Sequence, residues 1–345
     1  MSTFLTENVA GEFATQRLNQ SPVNVIDIIK SFNILRDCTI YEGKVSTCIS
    51  GGSLVAQDGT LLRIMIRTPR ISTHDVKRGE IPFKDQVLAI NHNFMRKRLA
   101  CKPMIHAQLD ELIFPDNSIV SVSEDCEPIK AEFVVREYNA YTTTSTSLYQ
   151  HYMKGERTFC RHKLPNNLVP NGKLPYIMDT PSTKDVHDLS VSPDYLFENG
   201  ICDEVQYTII SGTACNSFLR ISRFLAQKNI ILADTKLEFG ISRREGGPVV
   251  IDEVFSMDSS RFWPKANWKQ SLDKHEAVLS WSKEFARGLS KGDSSYISDE
   301  QVQIAVKYML GIQQLTEQPF VPNMVPIEEQ IVTSIKSILD FYFIK

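Results

Sequence analysis

One stretch constrains this 345-residue chain more than any other: NIILADTKLEFG at 229–240, the turn SRREGGP, and then VVIDEVFSMDSSRFW. Alternate residues of a β-strand share a face, so Asp234, Lys236 and Glu238 project together while Ile231, Ala233, Leu237 and Phe239 project from the other side. The pattern predicts a hairpin of an antiparallel sheet with one face in a core and the other carrying charge. Asp252 and Glu253 fall on the expected return strand and Asp258 just past its end. Converging carboxylates repel, and such a cluster becomes favourable when a divalent cation joins it. Two readings stay open at this point. One is a solvated edge of weak cross-strand pairs, each worth about 0.2–1 kcal/mol. The other is a magnesium and phosphate site, for which the following DSSRFW adds hydroxyls and a guanidinium.

The rest of the chain supplies a frame for that hairpin. Residues 1–36 read as a helical lead-in, with Val25, Ile28, Ile29 and Phe32 forming a stripe that docks on the body. From 37 to 135 short β-type runs are broken by glycine, proline and aspartate, including SLVAQDGTLLRIMI with a turn at Asp58-Gly59, and they predict an antiparallel first lobe. The segment 160–195 is rich in Pro, Asn, Lys and Asp and reads as a long functional loop. In the remainder of the second lobe, 136–345, Val205, Ile209, Gly212, Cys215 and Leu219 mark an amphipathic helix over 203–228. Two further helices are expected near 299–316 and 326–342.

Composition removes several classes of function. Lys plus Arg number 38 against 41 Asp plus Glu, a formal charge of −3, so there is no global pull toward nucleic acid or an anionic membrane. No run approaches the ~20 apolar residues of a membrane span, and the opening MSTFLTENVAGEF lacks the pattern of a signal peptide, so the expected location is cytoplasmic. Seven scattered cysteines without a Cys-x-x-Cys pair predict reduced thiols rather than a zinc site. Seven histidines form no triad or ligand spacing, and His187 reads as a loop-ordering residue.

Several motifs, in one order over 39 to about 275, resemble those of the SAICAR synthetases. They are YEGK at 41–44, FVVREY at 133–138, TPSTK at 180–184, LADTKLEFG, IDEVFSMDSSRFWP and SLDK at 271–274. The resemblance implies a two-lobed α+β fold, with an antiparallel-sheet N-terminal lobe, a mixed α/β second lobe and ATP in the cleft. It further implies Lys44 near the phosphates, Glu238 and Asp252 on ATP, Asp234, Glu238 and Asp252 on Mg2+, and Lys236, Asp252 and Arg136 as the catalytic set. Arg136, Ser260 and Arg261 resemble contacts to an imidazole ribotide, and Ser72, Asp75, Thr183, Lys184, Asp188, Asp273 and Lys274 match positions near the substrates. The implied reaction is ATP-dependent condensation of 5-amino-1-(5-phosphoribosyl)imidazole-4-carboxylate with L-aspartate. Small molecules are then the partners, with an oligomer possible and neither nucleic acid nor membrane involved. The competing expectation is a diverged paralogue, acting on another carboxylate or binding nucleotide without catalysis. Where the family has a Gly-Ser turn after the interlobe arginine, this chain has Tyr-, Thr- and Ser-rich text at 141–147, in which Ser145, Thr146 and Ser147 are the candidate substitutes.

Overall fold

Turn chemistry builds the first sheet. A computed structural model describes residues 3–20, 23–74, 76–99, 104–184, 188–281 and 283–343. Strands β1 (Thr39–Glu42), β2 (Ser46–Val55) and β3 (Leu61–Arg67) are followed by a small hairpin, β4 (Arg70–Thr73) with β5 (Val76–Glu80), and by β6 (Val120–Glu124). The order β1-β2-β3-β6 is antiparallel throughout. The expected Asp58-Gly59 turn joins β2 to β3: Gly59 takes a φ of +86°, and the Asp58 carboxylate accepts from the Thr60 amide at 2.9 Å.

The chain divides into two compact units, one formed by Met1–Phe94, Ala107–Cys126 and Ala286–Lys345, the other by Met95–His106 and Glu127–Phe285. The core of the first unit gathers Ile49, Leu62, Ile64 and Val122 from the sheet. Against them lie Ile28 and Ile29 of the Val25–Ser31 helix and Ile331, Ile335 and Ile338 of the Ile327–Phe343 helix. The lead-in thus docks as its apolar stripe requires. The C-terminal helices were expected with the second lobe, but this shared core places Ile327–Phe343 in the first unit. Their i, i+4, i+7 isoleucines match the face of the first sheet.

In the second unit a sheet runs β10 (Lys173–Thr183), β7 (Glu127–Tyr138), β11 (Ile230–Ser242) and β12 (Gly247–Val250), with β13 (Ser260–Pro264) pairing the first half of β11. A two-stranded hairpin, β8 (Thr158–Phe159) with β9 (His162–Lys163), completes the strands. The stretch 160–195 is therefore no long loop, because eleven of its residues form β10 along β7. The helix Glu204–Ala226 starts on a capping box between Asp203 and Gln206 and packs behind the sheet. Its buried face is Tyr207, Ile210, Ala214, Ser217, Phe218, Ile221 and Leu225, whereas Val205 and Ile209 are exposed. The expected stripe was displaced because the ring of Tyr207, a residue easily read as polar, seats on Phe133, with centroids 6.3 Å apart.

A half-buried polar anchor ties this helix to β10. Asp179 accepts from the Tyr207 hydroxyl, from Ser211 Oγ at 2.7 Å and from His162 Nε2 at 3.2 Å. Burial alone would raise the Asp179 carboxyl, but the hydrogen bonds from His162, Tyr207 and Ser211 outweigh it and hold the group below the usual carboxylate range. A carboxyl depressed in the folded state stabilises fully above its unfolded value near 3.9, and that stability is lost as pH falls through the folded value. Replacing Tyr207 by Phe is expected to cost about 1–3 kcal/mol at neutral pH. The difference from wild type should narrow below about pH 4, where the Asp179 of the variant takes up its proton first. Urea denaturation at several pH values measures both effects, and a pH-independent difference would mean the anchor is not ionic.

Candidate active site

The register of three strands assembles one polar face. Asp234 of β11 pairs Arg136 of β7, Lys236 pairs Val134, and Glu238 pairs Glu132, so these even-numbered positions share a side. The odd positions Thr235, Leu237 and Phe239 are buried on the opposite side. The alternation expected from the sequence is the one observed.

The two ends of this face differ in charge. At one end Arg261 Nη1 lies 2.5 Å from Asp234 Oδ2 and Arg261 Nε lies 3.2 Å from Glu284, while Arg136 Nη1 is 3.8 Å from the same Asp234 oxygen. Arg136 Nε also donates to Thr180 Oγ1 at 2.8 Å. Burial works against charge on both guanidiniums. For Arg261, Asp234 and Glu284 more than offset it and hold the group still more firmly protonated, whereas for Arg136 burial and the neighbouring Arg261 outweigh Asp234 and lower it.

At the other end three carboxylates meet two ammonium groups. Lys236 Nζ is 2.5 Å from Glu132 and 3.6 Å from Glu238, and Lys184 also bonds Glu238. The Ile251 amide donates to the Glu238 carbonyl at 3.0 Å, which brings Asp252 alongside, where its charge acts on both lysines. His106 Nε2 lies 2.9 Å from the Asp252 carbonyl. Burial opposes the Lys236 ammonium, yet Glu132 and Glu238 outweigh it and raise its pKa. Burial raises the Glu132 carboxyl even against Lys236. From Asp234 to Glu238 the strand advances about 13 Å, at ~3.3 Å per residue. A ligand with a carboxylate or phosphate at one end and a polyphosphate with its cation at the other fits such a polarity.

Several sequence expectations change. Asp252 and Glu253 are not on the return strand, because β12 ends at Val250 and 251–259 is irregular. Among the described residues no three His, Cys, Asp or Glu side chains gather to hold a metal, so Asp234, Glu238 and Asp252 do not form one ligand sphere. Asp234 instead orients two arginines. Ser260 pairs Thr235 and bonds its hydroxyl at 2.8 Å, on the face opposite Arg261, since neighbouring strand residues point opposite ways. Thr183, opposite Ala131, lies on that other face too, and its hydroxyl accepts from the Leu189 amide at 3.1 Å, closing the loop that carries Lys184 and Asp188. Asp258 lies 3.9 Å from Lys283 rather than joining the acidic cluster.

The remaining candidates sit elsewhere. Lys44 is exposed in the turn between β1 and β2, and Ser72 is buried on β4, both in the first unit. Asp75 and His187 lie outside the described residues. Asp188 is exposed and its charge reaches Glu132. Asp273, with a φ of +64°, and Lys274 lie in a turn whose amides bond Pro170 and Ser271. Three participants were missed in the sequence: Glu132, Thr180 and Glu284. Glu132 was legible, standing four residues before Arg136 on one strand and so on the same face.

Comparison with known proteins agrees with this geometry. A sequence model of the SAICAR synthetase family matches residues 39–301. The phosphoribosylaminoimidazole-succinocarboxamide synthase of Azobacteroides pseudotrichonymphae is 33% identical over 253 residues, spanning 72% of each chain. The SAICAR synthase of Saccharomyces cerevisiae, solved with SAICAR, superposes with a TM-score of 0.68 at 24% identity over 88% of this chain and 99% of its own. A type-2 SAICAR synthetase solved with ADP gives 0.60 at 20% identity, over 82% of this chain and all (100%) of its own. With the family match spanning most of its length and the charged strand face in place, this chain belongs to the SAICAR synthetase family.

Proposed function

We propose that the protein is the ATP-dependent ligase that joins 5-amino-1-(5-phosphoribosyl)imidazole-4-carboxylate to L-aspartate, giving SAICAR, ADP and phosphate. The observation that carries this reading is the single strand face with Arg136 and Arg261 around Asp234 at one end and Lys236 between Glu132 and Glu238 at the other. A carboxylate is a poor electrophile. Its oxygen attacks the γ-phosphorus of ATP, the bond to the β-phosphate oxygen breaks, and ADP leaves. The amine of aspartate then attacks the acyl carbon, the acyl oxygen–phosphate pair departs as phosphate, and the amine loses a proton. No protein nucleophile is required.

The residues suit the charges that develop. Lys236, with its raised pKa, stays an ammonium at neutral pH and so stabilises phosphoryl oxygens rather than acting as a base. Arg136 and Arg261 suit the carboxylate and phosphate of the ribotide by their planar donor geometry. Glu238 and Asp252 fit a magnesium ion, which takes one or two carboxylates and completes its shell with phosphate oxygens and water. That ion, when bound, supplies charge neutralisation on the phosphates. Lys44 and Ser72 remain candidates for the nucleotide and substrate contacts of the first unit. Among the described residues no helix is long and apolar enough to cross a membrane.

Incubating the pure protein with ATP, magnesium, L-aspartate and the ribotide is expected to yield the succinyl-carboxamide and ADP in equal amounts. Absence of product with nucleotide still bound would favour a diverged paralogue. Nucleotide at ~100 times its dissociation constant adds about 2.7 kcal/mol of stability. A thermal shift is expected with ATP and magnesium, and a much smaller one with ATP in EDTA. Equal shifts would remove Glu238 and Asp252 from the metal role.

A further inference from the structure

Asn171 is completely buried and holds a φ of +59°, a left-handed conformation that asparagine tolerates better than most residues. A plain turn would be served as well by glycine. Here, however, both ends of the side-chain amide are engaged. Oδ1 accepts from the Tyr141 amide at 3.0 Å. Nδ2 donates to the Ser271 and Glu276 carbonyls at 3.0 Å each, with the Lys274 carbonyl at 3.5 Å. The backbone carbonyl accepts from Trp268 Nε1 at 2.8 Å, and the amide donates to Asn139 at 2.8 Å. Two segments far apart in sequence, 139–141 and 271–276, are thereby fixed to one residue.

Both segments lead into candidate substrate loops. Downstream of Tyr141, Thr142 is buried and its carbonyl accepts from Gln150 Nε2 at 2.7 Å, while 143–145 are exposed. Ser147 is used as the cap of the Leu148–Met153 helix, so the loop is built and presents its tip outward. A second link runs from the helix that follows the first loop to the second loop: the Tyr149 hydroxyl lies 2.6 Å from His275 Nδ1. The Asp273 amide adds a bond to Pro170 at 3.2 Å. A hydroxyl-rich loop with an exposed tip at 143–145 needs an external brace to be preorganised.

We infer that Asn171 is a positioning residue that holds the 141–147 and 271–276 loops in one fixed relation, so that the ribotide meets both as a single preformed surface. This rests on the ligase reading above. Asn171→Gly keeps the left-handed backbone and removes the amide; Asn171→Asp keeps the acceptor for Tyr141 and removes the donors to Ser271 and Glu276. In either variant the KM for the ribotide is expected to rise about tenfold or more, with the KM for ATP within about twofold, the order of loss that misplaced binding groups produce. Amide hydrogen exchange in N171G should speed up in 139–141 and 271–276 together while β7 and β11 stay protected. Equal rises in all KM values, an unchanged ribotide KM, or exchange that speeds up in one segment alone would overturn the inference. If the wild type makes no product, the ligase reading fails by itself. Ribotide affinity by calorimetry then replaces KM, and equal affinity in wild type and N171G overturns the positioning role.

Discussion

Replacing Lys236 by methionine is expected to lower kcat by about 10²- to 10³-fold, the usual loss when one preorganised charge is removed from developing oxyanions. Methionine fills similar volume, so the loss reports charge rather than packing. The same change affects stability in a pH-dependent way. Glu132 is buried, and burial already raises its pKa against the pull of Lys236 at 2.5 Å. Without that ammonium the carboxyl rises further. A group that binds its proton more tightly when folded destabilises the fold as pH climbs above its unfolded value near 4.3. K236M should therefore unfold at lower urea at pH 7.5 than at pH 5, by a wider margin than wild type. Lys236→Arg, which keeps a charge, should recover part of the rate. A methionine variant with kcat within threefold of wild type would move the phosphoryl site away from β11.

The alternation of β11 could be read directly because a strand with one buried face must repeat every second residue. Asp234, Lys236 and Glu238 were placed together on that ground alone, and the structure agrees. What could not be read was where each strand stops. The run VVIDEVFSMDSSRFW looks continuous, yet β12 ends at Val250 and β13 begins at Ser260, so the segment visits β11 twice with the irregular, largely buried stretch 251–259 between. Once β13 starts at Ser260, Ser260 and Arg261 face opposite ways, so the two do not share one side of the sheet. Thr183, opposite Ala131, is likewise on the face away from Lys236 and Glu238. Conversely β10 was hidden by Pro175, Pro181 and its polar residues, which local propensity counts against a strand. Its pairing with β7 and the Asp179 anchor overrule that bias. Asn171 was hidden differently: the text PNG announces only a turn, and nothing local tells that the amide reaches carbonyls about a hundred residues away.

Arg261→Lys should raise the KM for the ribotide at least about tenfold, roughly 1.4 kcal/mol of binding, with those for ATP and aspartate within about twofold. The geometry explains why a retained charge is not enough. Nη1 meets Asp234 at 2.5 Å and Nε meets Glu284 at 3.2 Å, which fixes the plane of the guanidinium. Among the described residues no partner is seen for Nη2, so this corner remains to meet a ligand oxygen. A lysine has one nitrogen for three tasks, and two nearby carboxylates compete for it with the substrate. Arg136 differs, because Thr180 and Asp234 hold it and burial lowers its pKa, leaving it less firmly charged than its neighbour. If Arg136 meets the reacting carboxylate, Arg136→Lys should reduce kcat more than it raises the ribotide KM, whereas Arg261→Lys should do the reverse. Identical profiles for the two variants would mean that the pair acts as one unit around Asp234, and Asp234→Asn would then reproduce both losses. An Arg261→Lys enzyme with an unchanged ribotide KM would place the phosphate elsewhere.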